Sequence, residues 1–171
     1  MAYTAIDDPT LYFETKLYTG NGSTNNITGL SFAPDWVWLK ERGGTGDNRF
    51  FDTVRGATND LVSNTNDGEA DSNTSLTAFN SDGFTLGNEG GVNNNTDTFV
   101  SWNWKGGGSA SANSDGSTAS SISANSTAGF SIVSYTGAGA TTYGHGLGAT
   151  PKLIIIKKRT GDSGNNNWFV Y

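Results

Sequence analysis

The chain has 171 residues, a formal charge of −6, 15% charged side chains and 34% apolar ones, enough for one buried core, or for one domain and part of another. Gly, Asn, Ser and Thr dominate the remainder, a composition suited to turns and sheet surfaces and unsuited to helical bundles. The acidic balance and scattered Lys and Arg exclude a basic face for nucleic acid; with no cysteine and a single histidine, His145, there is no disulfide framework, thiolate zinc site or Cys nucleophile.

Residues 1–9 form an arm too small to fold alone, with Tyr3, Ile6, Asp7, Asp8 and Pro9 as candidate docking residues that order on a partner. Its acidic residues stand where a signal peptide would be basic, and no apolar run reaches membrane-spanning length, so cytoplasmic synthesis without membrane insertion is expected. From Thr10 to Thr19 apolar residues alternate, with Leu11, Phe13 and Leu17 on one side and Tyr12, Glu14, Lys16 and Tyr18 on the other, which predicts a half-buried strand. Trp36-Val-Trp-Leu-Lys follows Pro34 as a strand expected to be buried on both faces. Further short strands are expected at Arg49–Asp52, Leu76–Phe79, Phe84–Leu86 and Thr98–Trp104, and a helical turn at Ala57–Val62. Many short strands between polar turns indicate an all-β sandwich or barrel over residues 10–105. Residues 106–128, beginning Gly106-Gly-Gly-Ser, have a linker composition, and residues 129–171 open with Gly129-Phe-Ser-Ile-Val-Ser-Tyr-Thr-Gly, which starts a new alternating strand.

An internal repeat ties the two parts together. Adding 117 to positions from Tyr18 to Arg42 reaches Tyr135 to Arg159 without a gap. Tyr18-Thr-Gly meets Tyr135-Thr-Gly, Gly29-Leu meets Gly146-Leu, and Pro34, Lys40 and Arg42 meet Pro151, Lys157 and Arg159; Phe13 meets Phe130. Trp36-Val-Trp-Leu becomes Leu153-Ile-Ile-Ile, the behaviour of core positions, and a one-residue insertion sets Phe50-Phe51 opposite Trp168-Phe169. The second unit has no counterpart of Thr98–Trp104 within the 171 residues, so it is expected to need further chain or a neighbouring subunit to cover it.

These motifs resemble a repeat module of phage virion proteins, those of marine phages especially. The matching stretches are Asp7-Asp-Pro, Tyr18-Thr-Gly-Asn-Gly, Pro34-Asp-Trp-Val-Trp-Leu-Lys, Val54-Arg-Gly-Ala, Asp82-Gly-Phe-Thr-Leu-Gly, Val100-Ser-Trp-Asn-Trp-Lys, Ala128-Gly-Phe-Ser-Ile-Val-Ser-Tyr-Thr-Gly and Gly144-His-Gly-Leu-Gly. The resemblance implies a concanavalin A-like jelly-roll sandwich followed by an incomplete second copy. It also implies a non-enzymatic role in a tail fibre or its base, located in the virion after assembly in the host cytoplasm. Partners implied are other virion proteins, further copies of the chain (a homotrimer is preferred), and bacterial surface polysaccharide.

The search for chemistry is short. Glu69-Ala-Asp71 is the nearest approach to a glycosidase carboxylate pair, but Thr74 occupies the position of the third carboxylate in the sandwich glucanase pattern. His145 lies in a glycine-rich turn with no neighbouring acid, so no catalytic residue is assigned. Asn66–Glu69 and Asn93–Asp97 lack the calcium-loop order and read as solvated turns; no metal and no cofactor are expected. Trp36, Trp38, Trp102, Trp104 and Tyr143 are candidate sugar platforms, weighed against core or interface packing.

Overall fold

The computed structural model describes residues 6–161 and 166–171. Within them the protein is all-β, with several antiparallel sheets and only two short helical segments, a 3-10 turn at Pro9–Leu11 and one α-turn, α1, at Gly90–Asn93. The strands are β1 Phe13–Thr19, β2 Asn25–Ile27, β3 Trp36–Glu41, β4 Asn48–Asp52, β5 Gly56–Val62, β6 Ala70–Asp71, β7 Leu76–Asn80, β8 Gly83–Leu86 and β9 Thr98–Trp104. They form a six-stranded sheet, β1-β9-β3-β4-β5-β6, and a three-stranded sheet, β2-β8-β7.

These two sheets face each other across the core, a sandwich-like arrangement. Val37, Leu39 and Phe51 of the larger sheet meet Ile27, Leu76, Phe84 and Leu86 of the smaller, with Val92 beside them. Tyr18 joins from β1, stacked on Phe99 at 5.2 Å and edge-on to Phe84 at 6.5 Å. Its hydroxyl donates to Val92 O at 2.8 Å, and burial pushes the phenol's pKa well above its ordinary value.

Strand β1 therefore turns its Tyr18 side inward, while Leu11, Phe13 and Leu17 lie on the open side at 44%, 39% and 57% exposure. The alternation of the sequence is kept but its buried side is reversed. Glu14 and Lys16 share the inner side at the sheet edge, where Glu14 can leave the interior and accept from Ser31 N–H at 2.6 Å. Strand β3 is buried on one face only: Val37 and Leu39 are inside, and Trp36 and Trp38 are half-buried on the other. The helical turn expected at Ala57–Val62 is strand β5. No helical stripe favours the alternative, and β4 supplies the ladder, with Arg49 opposite Val62 and Phe50 opposite Leu61.

Asn93 is the polar keystone of the loops at one end. Fully buried, it donates through Nδ2 to Asn21 Oδ1, Ser23 O and Gly87 O, and accepts on Oδ1 from Asn21 N–H and Asn25 Nδ2. The expected solvated turn at Asn93–Asp97 is thus solvated only beyond Asn93. Gly20 lies so close that a Cβ there would fall 2.1 Å from Asn94 O, which explains a glycine after β1.

Residues 106–128, expected as a flexible linker, carry strands β10 Ser111–Asn113 and β11 Ser120–Asn125, which join β12 Phe130–Ser134 in a three-stranded sheet. What orders this stretch is backbone pairing, which composition does not report. Asp35, itself buried, accepts from Gly106 N–H at 2.8 Å and Gly108 N–H at 3.2 Å, and Ser123 Oγ accepts from Gly107 N–H. The chain closes with the hairpin β13 Ile155–Lys157 and β14 Trp168–Val170.

In that hairpin Ile155 faces Val170, whereas its counterpart Trp38 faces Phe50. The second arm of the repeat is therefore offset by three residues and not by one. A two-residue difference preserves the strand face, so the outward residues remain outward.

Replacing Asn93 by alanine removes a donor and an acceptor from a dry site and leaves several carbonyls and amides unpaired. A loss of about 3 kcal/mol is expected, read as a lower urea midpoint.

Candidate aromatic face and the inter-unit clamp

The outer face of the six-stranded sheet follows from strand register. Phe13 lies opposite Trp104, Thr15 opposite Trp102 and Leu17 opposite Val100; across β9, Trp104 faces Trp36 and Trp102 faces Trp38. Directly opposed residues share a face, so four tryptophans form a continuous patch. Ring centroids lie 4.7 Å apart for Phe13 and Trp104, 4.4 Å for Trp36 and Trp104, 4.8 Å for Trp38 and Trp102, and 5.1 and 5.2 Å from Phe50 to Trp36 and Trp38.

Residues of the C-terminal stretch, here called the second unit after the sequence repeat, sit on part of this patch. Phe130 stacks on Trp36 at 5.8 Å and on Trp104 at 6.2 Å, and Trp168 meets Phe50 edge-on at 5.3 Å while its indole N–H donates to Val62 O at 3.1 Å. Four of the five candidate platform residues are thus brought together, but their rings are engaged with one another and with the second unit. The open end of the face is formed by Phe13, Thr15 and Leu17 beside Trp102. Tyr143 lies elsewhere: it stacks on Tyr135 at 4.0 Å and donates from its hydroxyl to Thr136 O at 3.0 Å.

An ionic clamp lies beside the aromatic contact. Arg55, almost fully buried, donates through Nε to Asp52 and through Nη1 to Glu69 Oε2 at 2.9 Å. Arg159 grips the same Glu69 with two prongs, Nη2 to Oε1 at 2.6 Å and Nε to Oε2 at 2.8 Å, and its Nη1 reaches Ser134 Oγ at 2.8 Å. The backbones join as well, Glu69 N–H donating to Arg159 O at 2.7 Å. Burial would raise the Glu69 pKa, but hydrogen bonds and charge from Arg159 and Arg55 outweigh it and hold the carboxyl below its ordinary range. Both carboxylate oxygens of Glu69 are thus engaged by guanidinium groups.

The remaining expectations are placed as follows. Asp8 caps the 3-10 turn, its Oδ1 accepting from Thr10 N–H at 3.0 Å and Thr10 Oγ1 at 2.6 Å. Asp7 and Pro9 are exposed, Ile6 is half-buried, and Tyr3 lies outside the described residues. His145 Nδ1 accepts from Leu147 N–H at 3.2 Å within its turn. Among the described residues no group of three or more His, Asp or Glu is placed to hold a metal ion, and no helix is long and apolar enough to cross a membrane. The clamp is not legible in the sequence, where Arg159 stands out only as the repeat partner of Arg42 and nothing local pairs it with Glu69.

The family model described as Domain of unknown function (DUF7483) matches residues 8–171. The chain belongs to this family. The match runs through the sandwich, the strands at 106–128 and the final hairpin alike, so all three are parts of the family's domain. No curated protein and no solved structure matches the chain.

Because the folded pKa of Glu69 is depressed, its contribution to stability is fully present above the ordinary glutamate pKa and is lost as pH falls through the folded value. Glu69→Gln should lower the urea midpoint at neutral pH. The gap between variant and parent should close on acidification through that window; a gap unchanged at low pH would show that the charge of Glu69 is not what stabilises.

Proposed function

We propose that the protein is a structural component of a phage virion appendage, a tail fibre or its base, that attaches to the particle and supports host recognition. The sequence motifs carry the phage assignment. The structural observation behind a building role is the contact of Phe130 with Trp36 and Trp104, through which one repeat unit seats on the aromatic face of the other. Aromatic surface spent on packing units together suits an elongated scaffold, each such ring pair adding roughly 0.5–1.5 kcal/mol beyond its buried area. In this reading the sandwich is a concanavalin A-like jelly roll, the arm at Ile6, Asp7, Asp8 and Pro9 docks on other virion proteins, the chain assembles as a homotrimer, and no catalysis is involved.

A second reading, direct binding of bacterial surface glycans, draws on a different place. A cleft of about 460 Å³ is lined by Ser121, Ser134, Tyr135, Thr136 and Arg159 among others. Tyr135, 40% exposed and backed by Tyr143, offers a ring for the C–H face of a sugar, with hydroxyls and a guanidinium around it. This moves the sugar platform from the tryptophans to the Tyr135–Tyr143 pair.

Purified virions from a lysate that makes the chain should contain it in stoichiometric amount, and immunogold label should fall on the appendage. Recovery only in the virion-free fraction rules out the structural role. On a panel of bacterial surface polysaccharides, saturable binding lost in Tyr135→Ala supports the adhesin reading; absence of binding by folded protein leaves the scaffold role alone.

A further inference from the structure

The final hairpin presents an unusual surface. Leu153, Ile154, Ile155, Phe169, Val170 and Tyr171 are between 42% and 71% exposed, on a two-stranded sheet with no third strand among the described residues. A bare apolar edge of this kind is a template for pairing. The repeat identifies which edge is bare.

In the first unit, Ser63 N–H donates to Asn48 O, so Asn48 faces β5 and the alternate residues Arg49 and Phe51 face β3. Their partners Leu39 and Val37 accordingly point to β4, which leaves Trp36, Trp38 and Lys40 pointing their backbone groups at β9, opposite Trp104, Trp102 and Val100. In the second unit, Ile154 exchanges both bonds with Tyr171, at 3.0 and 2.9 Å. Ile154 is the counterpart of Val37, so β14 occupies the edge of β13 that corresponds to the β4 edge of β3. The other edge, carrying the N–H and C=O groups of Leu153, Ile155 and Lys157, corresponds to the one that β9 fills.

We infer that the Leu153–Lys157 edge of β13 is a strand acceptor, taking an extended antiparallel segment with the alternating aromatic pattern of Thr98–Trp104 and an acidic residue near its N-terminal end. The acidic requirement comes from charge. Lys158 stands where the first unit has Glu41, and Lys152 and Lys158, both exposed, flank the edge. The same charges disfavour a second copy of β13 as occupant, since antiparallel pairing about Ile155 would set Lys152 of each copy opposite Lys158 of the other. Main-chain bonds supply the affinity in such strand addition, and alternate side chains supply selection.

The probe is a synthetic peptide of residues 97–104, Asp97 to Trp104, titrated into the 171-residue protein; it stops before Lys105, which the β3–β9 register would set opposite Lys152. Saturable one-to-one binding is expected, with the Ile155 and Lys157 amides gaining protection from hydrogen exchange. Backbone N-methylation of the peptide at Val100 and Trp102, whose N–H groups face β3 in the first unit, should weaken binding about tenfold or more. Methylation at Ser101 and Asn103, which face β1, should leave it nearly unchanged. These controls leave the folded protein untouched. Absence of binding, equal loss with both methylated peptides, or protection elsewhere in the chain overturns the inference. A concentration-dependent dimer of the chain alone that protects the same two amides also overturns it, in favour of a second copy.

Discussion

Strand β9 lies between β1 and β3, and its alternation divides the molecule. Phe99, Ser101 and Asn103 enter the sandwich, while Val100, Trp102 and Trp104 stand on the outer face. The inner set faces the second sheet, with the buried Asn103 donating through Nδ2 to Glu14 O at 3.0 Å and to Ser101 Oγ at 3.0 Å. The outer set builds the tryptophan patch on which Phe130 rests. One strand thus organises the first unit's core and the seat of the second, and the second unit has no such strand of its own among the described residues.

That asymmetry explains the uneven exposure of equivalent positions. Val37 and Leu39 are buried between sheets, whereas Ile154, at the place of Val37, is 42% exposed. Apolar character is kept between the two segments because both are strands; burial differs because, among the described residues, only the first has a facing sheet and a β9. In place of these, the second unit is held by Phe130 and Trp168 on the aromatic face and by Arg159 on Glu69. A partly buried ion pair adds little net stability by itself, but removal of one partner strands the other charge, so the clamp acts more as a register device than as a source of energy.

The sequence revealed what depends on alternation and repetition. Strand β9 appears at its expected bounds, and the strands expected at Trp36, Arg49, Leu76 and Phe84 lie within a residue of theirs, because period-2 patterns between Gly and Asn turns are local signals; the strand opening near Gly129 stops at Ser134, short of the Tyr-Thr-Gly that follows. Which side of β1 is buried was not local: Phe13 and Leu17 are as apolar as a core residue, and only the position of the second sheet decides that Tyr18 goes in. The strands within residues 106–128 were hidden because Ser, Ala and Asn carry the ladder there with backbone groups, and Asp35, seventy residues away, fixes their start. The tryptophans of the site were found by residue type; their shared face followed from strand spacing, and their occupation by Phe130 did not.

The occupied face also constrains function. An exposed tryptophan can stack on a sugar only if its ring is free, yet Trp36 and Trp104 each have two or more aromatic neighbours within 6.2 Å. Part of each ring is already covered by intramolecular contact, so a ligand that used the surface under Phe130 would have to displace that side chain. On the proposed function, packing and recognition would compete for Trp36 and Trp104, and the fold offers them different places: these two rings seat Phe130, while the Tyr135 cleft and the outer edge of β13 stay open.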